Sequence, residues 1–181
     1  MFIAQQLKNE NICEYLLYMW QIEDVIRAFH LDMDAINSHI IASYPASEID
    51  RKKMYEWYES LIDMMRRENV EEKGHLQLNK NIIIELNEFH QQLLTSGKDH
   101  FYNEKFYSIF PYIIELRKKS TTNVSDIELC FNFLYGIMTL RLQKAEIIPA
   151  TKEAQEKISQ FMSQLAKDYR LYQEGELKFD E

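Results

Sequence analysis

The chain has 181 residues, enough for one domain with a sizeable hydrophobic core, and contains only four glycines and three prolines. Its formal net charge of -8 at pH 7 argues against nucleic acid as a partner, because binding to a phosphate backbone relies on clustered lysine and arginine. Strands are not expected either, since apolar residues recur at helical spacing in every long segment. The sequence therefore predicts an all-α protein.

The N-terminal stretch shows no signal peptide, because residues 1–8 have no basic region that leads into an apolar run. The densest apolar segment, 12–29, contains several charged residues, which argues against a membrane span. Cys13 and Cys130 each lie in an apolar run, so we expect buried thiols, with a disulfide or a reactive thiol as the open alternatives. A cytoplasmic location follows as the default prediction.

The segment 12–29 predicts a helix that is apolar nearly all round and therefore buried on most sides. Asn11 and Glu14 have the spacing of a capping box, so the helix is expected to begin near Ile12. Its polar residues form two narrow stripes. One stripe pairs Glu23 with Arg27 at i and i+4, and the other contains Glu14, Tyr18, Gln21 and Asp24.

Six further helices are expected in chain order, over residues 32–44, 47–73, 75–96, 100–119, 126–144 and 151–172. Their predicted N-caps are Asp32, Ser47, Asp99, Ser125 and Thr151. Pro45 and Gly97 are stop signals, Pro149 is expected to break the chain again, and either a turn or a kink is expected near Gly74. Pro111 should bend the helix that contains it, whose predicted apolar stripe includes Phe110.

These elements predict a bundle of about six or seven helices that forms a single domain over residues 1–172. The acidic segment 173–181 has no periodicity and is expected to be a frayed tail. The helix over 127–144 is the second nearly all-apolar one, and we expect it to pack against the first. The amphipathic helices should then cover these two central helices.

Three blocks carry a resemblance to a known family. They are Tyr-Leu-Leu-Tyr-Met-Trp-Gln-Ile-Glu-Asp at 15–24, the run from Leu134-Tyr135-Gly136 to Ile147, and Thr-x-x-Ala at 151–154. In these blocks the chain resembles an uncharacterised family from Bacteroidetes bacteria that is classed as a domain of unknown function. The resemblance spans essentially the whole chain. It implies a small, cytoplasmic, helical bacterial protein, and it implies no activity and no catalytic residue.

Metal and nucleophile chemistry have little support in the sequence. Glu72 and His75 match the Glu-x-x-His unit of carboxylate-bridged di-iron bundles, but no second such unit exists and Gly74 lies between them. A solvated turn is the favoured interpretation, with metal binding as the weak alternative. The sequence also contains no glycine-rich phosphate loop, no Gly-x-Ser-x-Gly elbow and no Cys-x-x-Cys. We therefore predict no cofactor.

The polar stripe on the first central helix is the best candidate for a site. Polar groups on a mostly buried helix are costly unless they are hydrogen-bonded or face a wet cavity. Arg141, on the second central helix, is an obvious partner for one of the carboxylates. Two interpretations stay open: a network that fixes the helix register, and a pocket or interface lined by Glu14, Tyr18, Gln21, Asp24 and Arg141.

Two functions follow from these features. The first is a non-enzymatic interaction module that self-associates, with a dimer as the favoured assembly and a protein partner as a further prospect. Tyrosine and tryptophan are enriched at interfaces, and six of them lie on the amphipathic helices: Tyr55, Trp57, Tyr58, Tyr102, Tyr107 and Tyr112. The alternative is a ligand-binding or metal-dependent helical enzyme built around the polar stripe.

Overall fold

The computed structural model describes residues 1–97 and 99–179. These ranges contain no strand and fold into eight α-helices: α1 (Phe2–Glu10), α2 (Ile12–Ala28), α3 (Met33–Ile36), α4 (Glu48–Arg67), α5 (Gln77–Ser96), α6 (His100–Lys119), α7 (Asp126–Leu142) and α8 (Pro149–Gln173). The all-α class is confirmed, with one helix more than the largest number predicted. None of these helices has both the length and the apolar character that crossing a membrane requires.

The additional helix is α1, which the sequence pattern did not reveal. Ala4 is its buried residue, whereas Phe2 and Ile3 remain substantially exposed. A helix that buries so little has no clear apolar stripe, and periodicity is the main signal from which helices are predicted.

Most of the predicted N-caps are confirmed. The side chain of Asp32 accepts hydrogen bonds at the start of α3, and Ser47, Asp99 and Ser125 do the same for α4, α6 and α7. Asn11 also caps α2, accepting from the backbone N–H of Cys13 (3.1 Å). Each cap satisfies a backbone donor that has no partner inside the helix.

The cap predicted at Thr151 is wrong, because α8 already begins at Pro149. Proline suits the first helical position, since its ring fixes a helical φ and the missing N–H would be unpaired there in any case. Pro149 therefore starts a helix where we expected it to interrupt the chain.

Glycine and proline act differently at the two uncertain breaks. Gly74 lies in a turn between α4 and α5 with φ of +87°, a conformation that L side chains rarely adopt. Pro111 lies inside α6, which continues on both sides of it. The helix that begins at α3 ends in a π-helical turn, Asn37–Ile41, where the N–H of Ala42 donates to the carbonyl of Asn37 (2.8 Å).

The described chain divides into two units. Unit 1 contains residues 1–9 and 14–81, and unit 2 contains residues 10–13 and the described residues from 82 onward. In unit 1, α4 packs against α3 and the π-helical turn; in unit 2, α6, α7 and α8 pack against one another. The single domain over 1–172 and the packing of α2 on α7 stay predictions.

The second central helix is less buried than its composition suggested. Cys130 and Phe131 are buried in the first half of α7, but Leu140 and Leu142 near its end are exposed. Cys13 and Cys130 are both buried, as expected, and neither forms a disulfide; burial raises the pKa of the Cys130 thiol. Composition alone cannot show that the last turn of an apolar helix extends beyond the elements that cover it.

The C-terminal segment is only partly described, because residues 180 and 181 lie outside the described ranges. Within it, the ring of Phe179 lies 5.7 Å from that of Phe89 and 5.5 Å from that of Tyr172, centroid to centroid. The frayed tail stays a prediction.

The Ser125 cap gives a first test of the helix boundaries. Replacing Ser125 with alanine should lower the free energy of unfolding by about 1 kcal/mol, because the N–H of Glu128 loses its acceptor (3.1 Å). Urea denaturation measures the change. Ser163, exposed in the interior of α8, is the matched control. An equal loss from Ser163→Ala would contradict a capping role for Ser125, since alanine favours a helix interior.

Candidate functional site

The predicted polar stripe on α2 faces outward at both ends. Glu14 and Asp24 are exposed, whereas Tyr18 and Gln21 between them are half-buried. Asp24 Oδ1 accepts a hydrogen bond from Arg27 Nη1 (2.8 Å). Both carboxylates of the stripe are therefore in contact with solvent, and its role as a register network or a pocket stays a prediction.

Arg141, the fifth predicted member of this site, belongs to unit 2. It is exposed near the end of α7, where its Nη2 donates to Gln155 Oε1 of α8 (2.6 Å). Its pairing with a carboxylate of α2 stays a prediction.

The buried carboxylate of α2 is Glu23, which is completely inaccessible to solvent. Its Oε1 accepts from the backbone N–H of Leu76 (3.0 Å) and from Asn79 Nδ2 (2.7 Å). Its Oε2 accepts from His75 Nδ1 (2.6 Å) and lies 3.9 Å from Arg27 Nη2. We call these five residues the Glu23 cluster. The predicted pair of Glu23 and Arg27 exists, and it is one part of a larger network.

The turn that follows α4 brings the donors to Glu23. Arg27 Nη2 donates to the carbonyls of Val70 (3.1 Å) and Gly74 (2.5 Å), which holds this turn against α2. Leu76 directly precedes α5, so its N–H lies at the N-terminal end of that helix. A negative charge such as that of Glu23 is favoured at this end. Glu23 therefore fastens the turn and the beginning of α5 to α2.

His75, predicted as a weak metal ligand with Glu72, belongs to this cluster instead. Its ring stacks on that of Trp20, with centroids 4.0 Å apart and an angle of 11° between the planes. Glu72 is exposed. Across residues 1–97 and 99–179, no three His, Cys, Asp or Glu side chains are grouped so that they could hold a metal ion. The chemistry of the cluster is that of an ion-pair and hydrogen-bond network within unit 1.

Tyr18 is the member of the predicted stripe that borders a cavity. The cavity has a volume of about 130 Å³ and lies within unit 1. Its wall is formed by α1, α2, α4 and the segment around the π-helical turn, through Met1, Phe2, Ile3, Tyr18, Ile40, Tyr44, Met54 and Tyr58. The lining consists of apolar side chains and three tyrosines, so a ligand held there would be small and largely apolar.

Unit 2 has a buried polar pair in its core. A hydrogen bond joins His90 Nδ1 and the Tyr102 hydroxyl (2.6 Å), and both residues are fully buried. Aromatic rings of Phe106 and Phe161 lie 4.7 and 5.8 Å from the His90 ring. Burial lowers the pKa of His90 to about 4, against a smaller opposing effect of Asp126. His90 is therefore neutral at pH 7, and its Nε2 has no hydrogen-bond partner among the described residues.

The outer face of α6 carries large apolar side chains in contact with solvent. The exposed fractions are 66% for Tyr107, 43% for Phe110 and 42% for Ile114. At about 100° per residue these three and Pro111 share one side of the helix, and we call them the α6 stripe. The prediction that Phe110 belongs to the buried side is wrong, because Phe106, Ile109 and Ile113 already face the core and Phe110 lies beyond their edge.

The six aromatic residues that we expected at an interface differ in their exposure. Tyr58 and Tyr102 are buried, and Tyr55, Trp57 and Tyr112 are half-buried. Tyr107 alone among the six is more than half exposed, which places the aromatic surface on α6.

Comparison with known proteins gives one match. Residues 1–176 match the model of a family described as "Domain of unknown function (DUF4924)". The chain belongs to this family. The resemblance to an uncharacterised family is thereby confirmed, and the DUF4924 membership brings no activity with it. No curated protein and no solved structure matches the chain.

The Glu23 cluster and the cavity beside Tyr18 of this DUF4924 protein differ in how far they can be predicted from its sequence. The spacing of Glu23 and Arg27 predicted their ion pair. Nothing near them in the sequence indicates that His75 and Asn79, more than 50 residues after Glu23, form hydrogen bonds with its carboxylate. The cavity beside Tyr18 has no sequence signal, because four separate segments form its wall.

Proposed function

We propose that this protein is a non-enzymatic helical interaction module that forms a two-fold dimer through the α6 stripe. The observation that carries the proposal is the exposure of Tyr107, Phe110 and Ile114 side by side on one helix. Apolar side chains grouped on a surface are typical of interaction sites, and two-fold dimers are the commonest assembly.

The charges beside the stripe fit a second copy of the same helix. Glu104 flanks the stripe near the start of α6 and Lys118 near its end, and both are exposed. If two copies of α6 cross antiparallel between Phe110 and Pro111, the two-fold axis brings Tyr107 opposite Ile114 of the second copy. The same axis brings Glu104 close to Lys118, so opposite charges meet at both ends of the contact. The occupant that best suits the stripe is therefore another copy of this chain.

The proposal also includes the cellular location of the protein and the kind of organism that contains it. We place it in the cytoplasm of a bacterium, as the resemblance to a Bacteroidetes family implies. A different protein that docks on the α6 stripe is the alternative occupant. A stable dimer of the purified protein would argue against that alternative.

Replacing Phe110 with glutamate tests the dimer. The change removes apolar area from both copies at the axis and sets two negative charges against each other. Burying the exposed part of one phenylalanine contributes about 1 kcal/mol, so the dimer should lose at least about 2 kcal/mol, or roughly thirtyfold in Kd. Native mass spectrometry and analytical ultracentrifugation over a concentration series measure the change.

The matched control is Leu142→Glu, which makes the same kind of substitution at an apolar residue that is 76% exposed at the end of α7. This variant should dimerise like the unchanged protein. Monomeric unchanged protein at high micromolar concentration would refute the proposal. So would a dimer that Leu142→Glu dissociates and Phe110→Glu leaves intact.

A second candidate function, ligand binding, has one specific observation in its favour. Tyr18, a member of the predicted site, lines a cavity that is large enough for a small molecule. The other predicted members supply no such support, because Glu14 and Asp24 are exposed on α2. We therefore propose a binding role for this cavity as the alternative function and assign it no reaction.

A further inference from the structure

We propose that the cavity beside Tyr18 is a binding site for an uncharged molecule of about the size of benzene that carries one hydrogen-bonding hydroxyl or carbonyl group. This inference names a ligand class for the second candidate function and rests on it. It is independent of the α6 stripe, since every lining residue belongs to unit 1.

The volume sets the size of the ligand. A dry cavity of about 150 Å³ in a protein core accepts benzene, and this cavity measures about 130 Å³. Its apolar walls come from residues such as Phe2, Ile3, Ile40 and Met54. A single six-membered ring, or an aliphatic chain of similar volume, fills such a space.

The tyrosine hydroxyls set the polarity of the ligand. Tyr58 is only 4% exposed, and its ring borders the cavity together with those of Tyr18 and Tyr44. Among the described residues, none forms a hydrogen bond with any of these three hydroxyls. A ligand atom that enters the cavity could therefore form a hydrogen bond with the Tyr58 hydroxyl, and one such bond contributes about 1 kcal/mol.

The absence of charge on the wall sets the ligand's own charge. Among the described lining residues, the one ionisable group besides the tyrosine hydroxyls is the α-amino group of Met1, and burial lowers its pKa to about 6. Burial raises the pKa of Tyr58 to about 12, with a further contribution from Tyr18, and burial also raises the pKa of Tyr18. The hydroxyls of Tyr18 and Tyr58 are therefore neutral at pH 7. The amino group of Met1 is mostly neutral at pH 7 as well. Transfer of an ion into such a space therefore carries a desolvation penalty that no charged group of the described lining offsets.

Phenol, benzene and tetramethylammonium are suitable probes for this assignment. Phenol should bind with a stoichiometry of one per chain and about fivefold more tightly than benzene, which is the value of one net hydrogen bond. Tetramethylammonium should not bind. Ligand-observed NMR and isothermal titration calorimetry on the full chain measure the three dissociation constants.

Tyr58→Phe removes the hydroxyl and keeps the ring. In this variant phenol binding should fall to the level of benzene, while benzene binding stays unchanged. Tyr55→Phe is the matched control, because Tyr55 lies on the same helix and lines a different surface groove. Circular dichroism verifies that both variants are folded.

Several outcomes would overturn the inference. These are no binding of phenol or benzene, tighter binding of tetramethylammonium than of phenol, or a Tyr58→Phe variant that still prefers phenol fivefold. None of them bears on the dimer, which is measured in separate experiments on α6 variants.

Discussion

Replacing Glu23 with alanine is expected to lower the free energy of unfolding by about 3–5 kcal/mol, the usual cost of removing one partner from a buried charged network. The carboxylate accepts from His75, Leu76 and Asn79, and all three donors would lose it at once. Arg27 would lose its buried counter-charge as well, 3.9 Å away. Urea denaturation at pH 7 measures the change.

The substitution Glu23→Gln removes the negative charge of the side chain and keeps its shape. The glutamine keeps the volume and one oxygen, which can still accept from Leu76 and Asn79. Its amide group would instead face His75 Nδ1, so that a short charge-assisted hydrogen bond is replaced by a weaker one between neutral groups. We expect a loss of about 1–3 kcal/mol, between the unchanged protein and Glu23→Ala.

The matched controls are the exposed carboxylates of the same helix. Glu14→Ala and Asp24→Ala should each change the free energy of unfolding by less than about 1 kcal/mol, because exposed ion pairs contribute little. Asp24 is a strict control, since it also binds Arg27 (2.8 Å). A loss from Asp24→Ala as large as that from Glu23→Ala would show that the stripe, and not the Glu23 cluster, holds the structural network.

Lowering the pH from 7 to 4.5 should destabilise the protein by about 2–3 kcal/mol through His90 alone. In the unfolded chain this histidine has an ordinary pKa of 6.5, whereas burial lowers the pKa to about 4 in the folded protein. Between these values the unfolded state binds the proton and the folded state does not. Stability is therefore complete above pH 6.5 and falls as the pH drops toward 4.

His90→Gln should remove this part of the pH dependence. Its free energy of unfolding at pH 7 can differ from that of the unchanged protein, because Tyr102 changes partner. The informative quantity is the difference between pH 7 and pH 4.5 in each protein. His100→Gln, at an exposed position on α6, serves as the control and should keep the full pH dependence. If His90→Gln keeps it too, His90 already becomes protonated in the folded state.

Local signals in the sequence predicted the helices well. A cap depends on one side chain and a backbone donor two or three residues later, so Asp32, Ser47 and Ser125 could be identified without knowledge of the fold. The miss at Pro149 was also local: proline begins a helix as readily as it interrupts one. Helix α1 was missed because it buries too little to show a stripe.

The candidate sites were harder to predict, because each depends on contacts between distant segments. A helical wheel shows that Glu14 and Asp24 share a side of α2, and it cannot show which side another segment covers. The turn at Gly74 instead covers the side of α2 that carries Glu23, and Arg27 donates a hydrogen bond to the carbonyl of Gly74. The exposure of Phe110 likewise depends on where its neighbours in unit 2 end.

The π-helical turn after α3 has an evolutionary consequence. Such turns contain one residue more than an α-helical turn and often occur at functional sites. Ile40 lies within this turn and Tyr44 follows it, and both line the cavity. A relative shorter by one residue between Asn37 and Ala42 would rotate both side chains by about 100° around the helix axis. In an alignment of the family, a one-residue gap at this position would therefore identify members in which the residues equivalent to Ile40 and Tyr44 do not line this cavity.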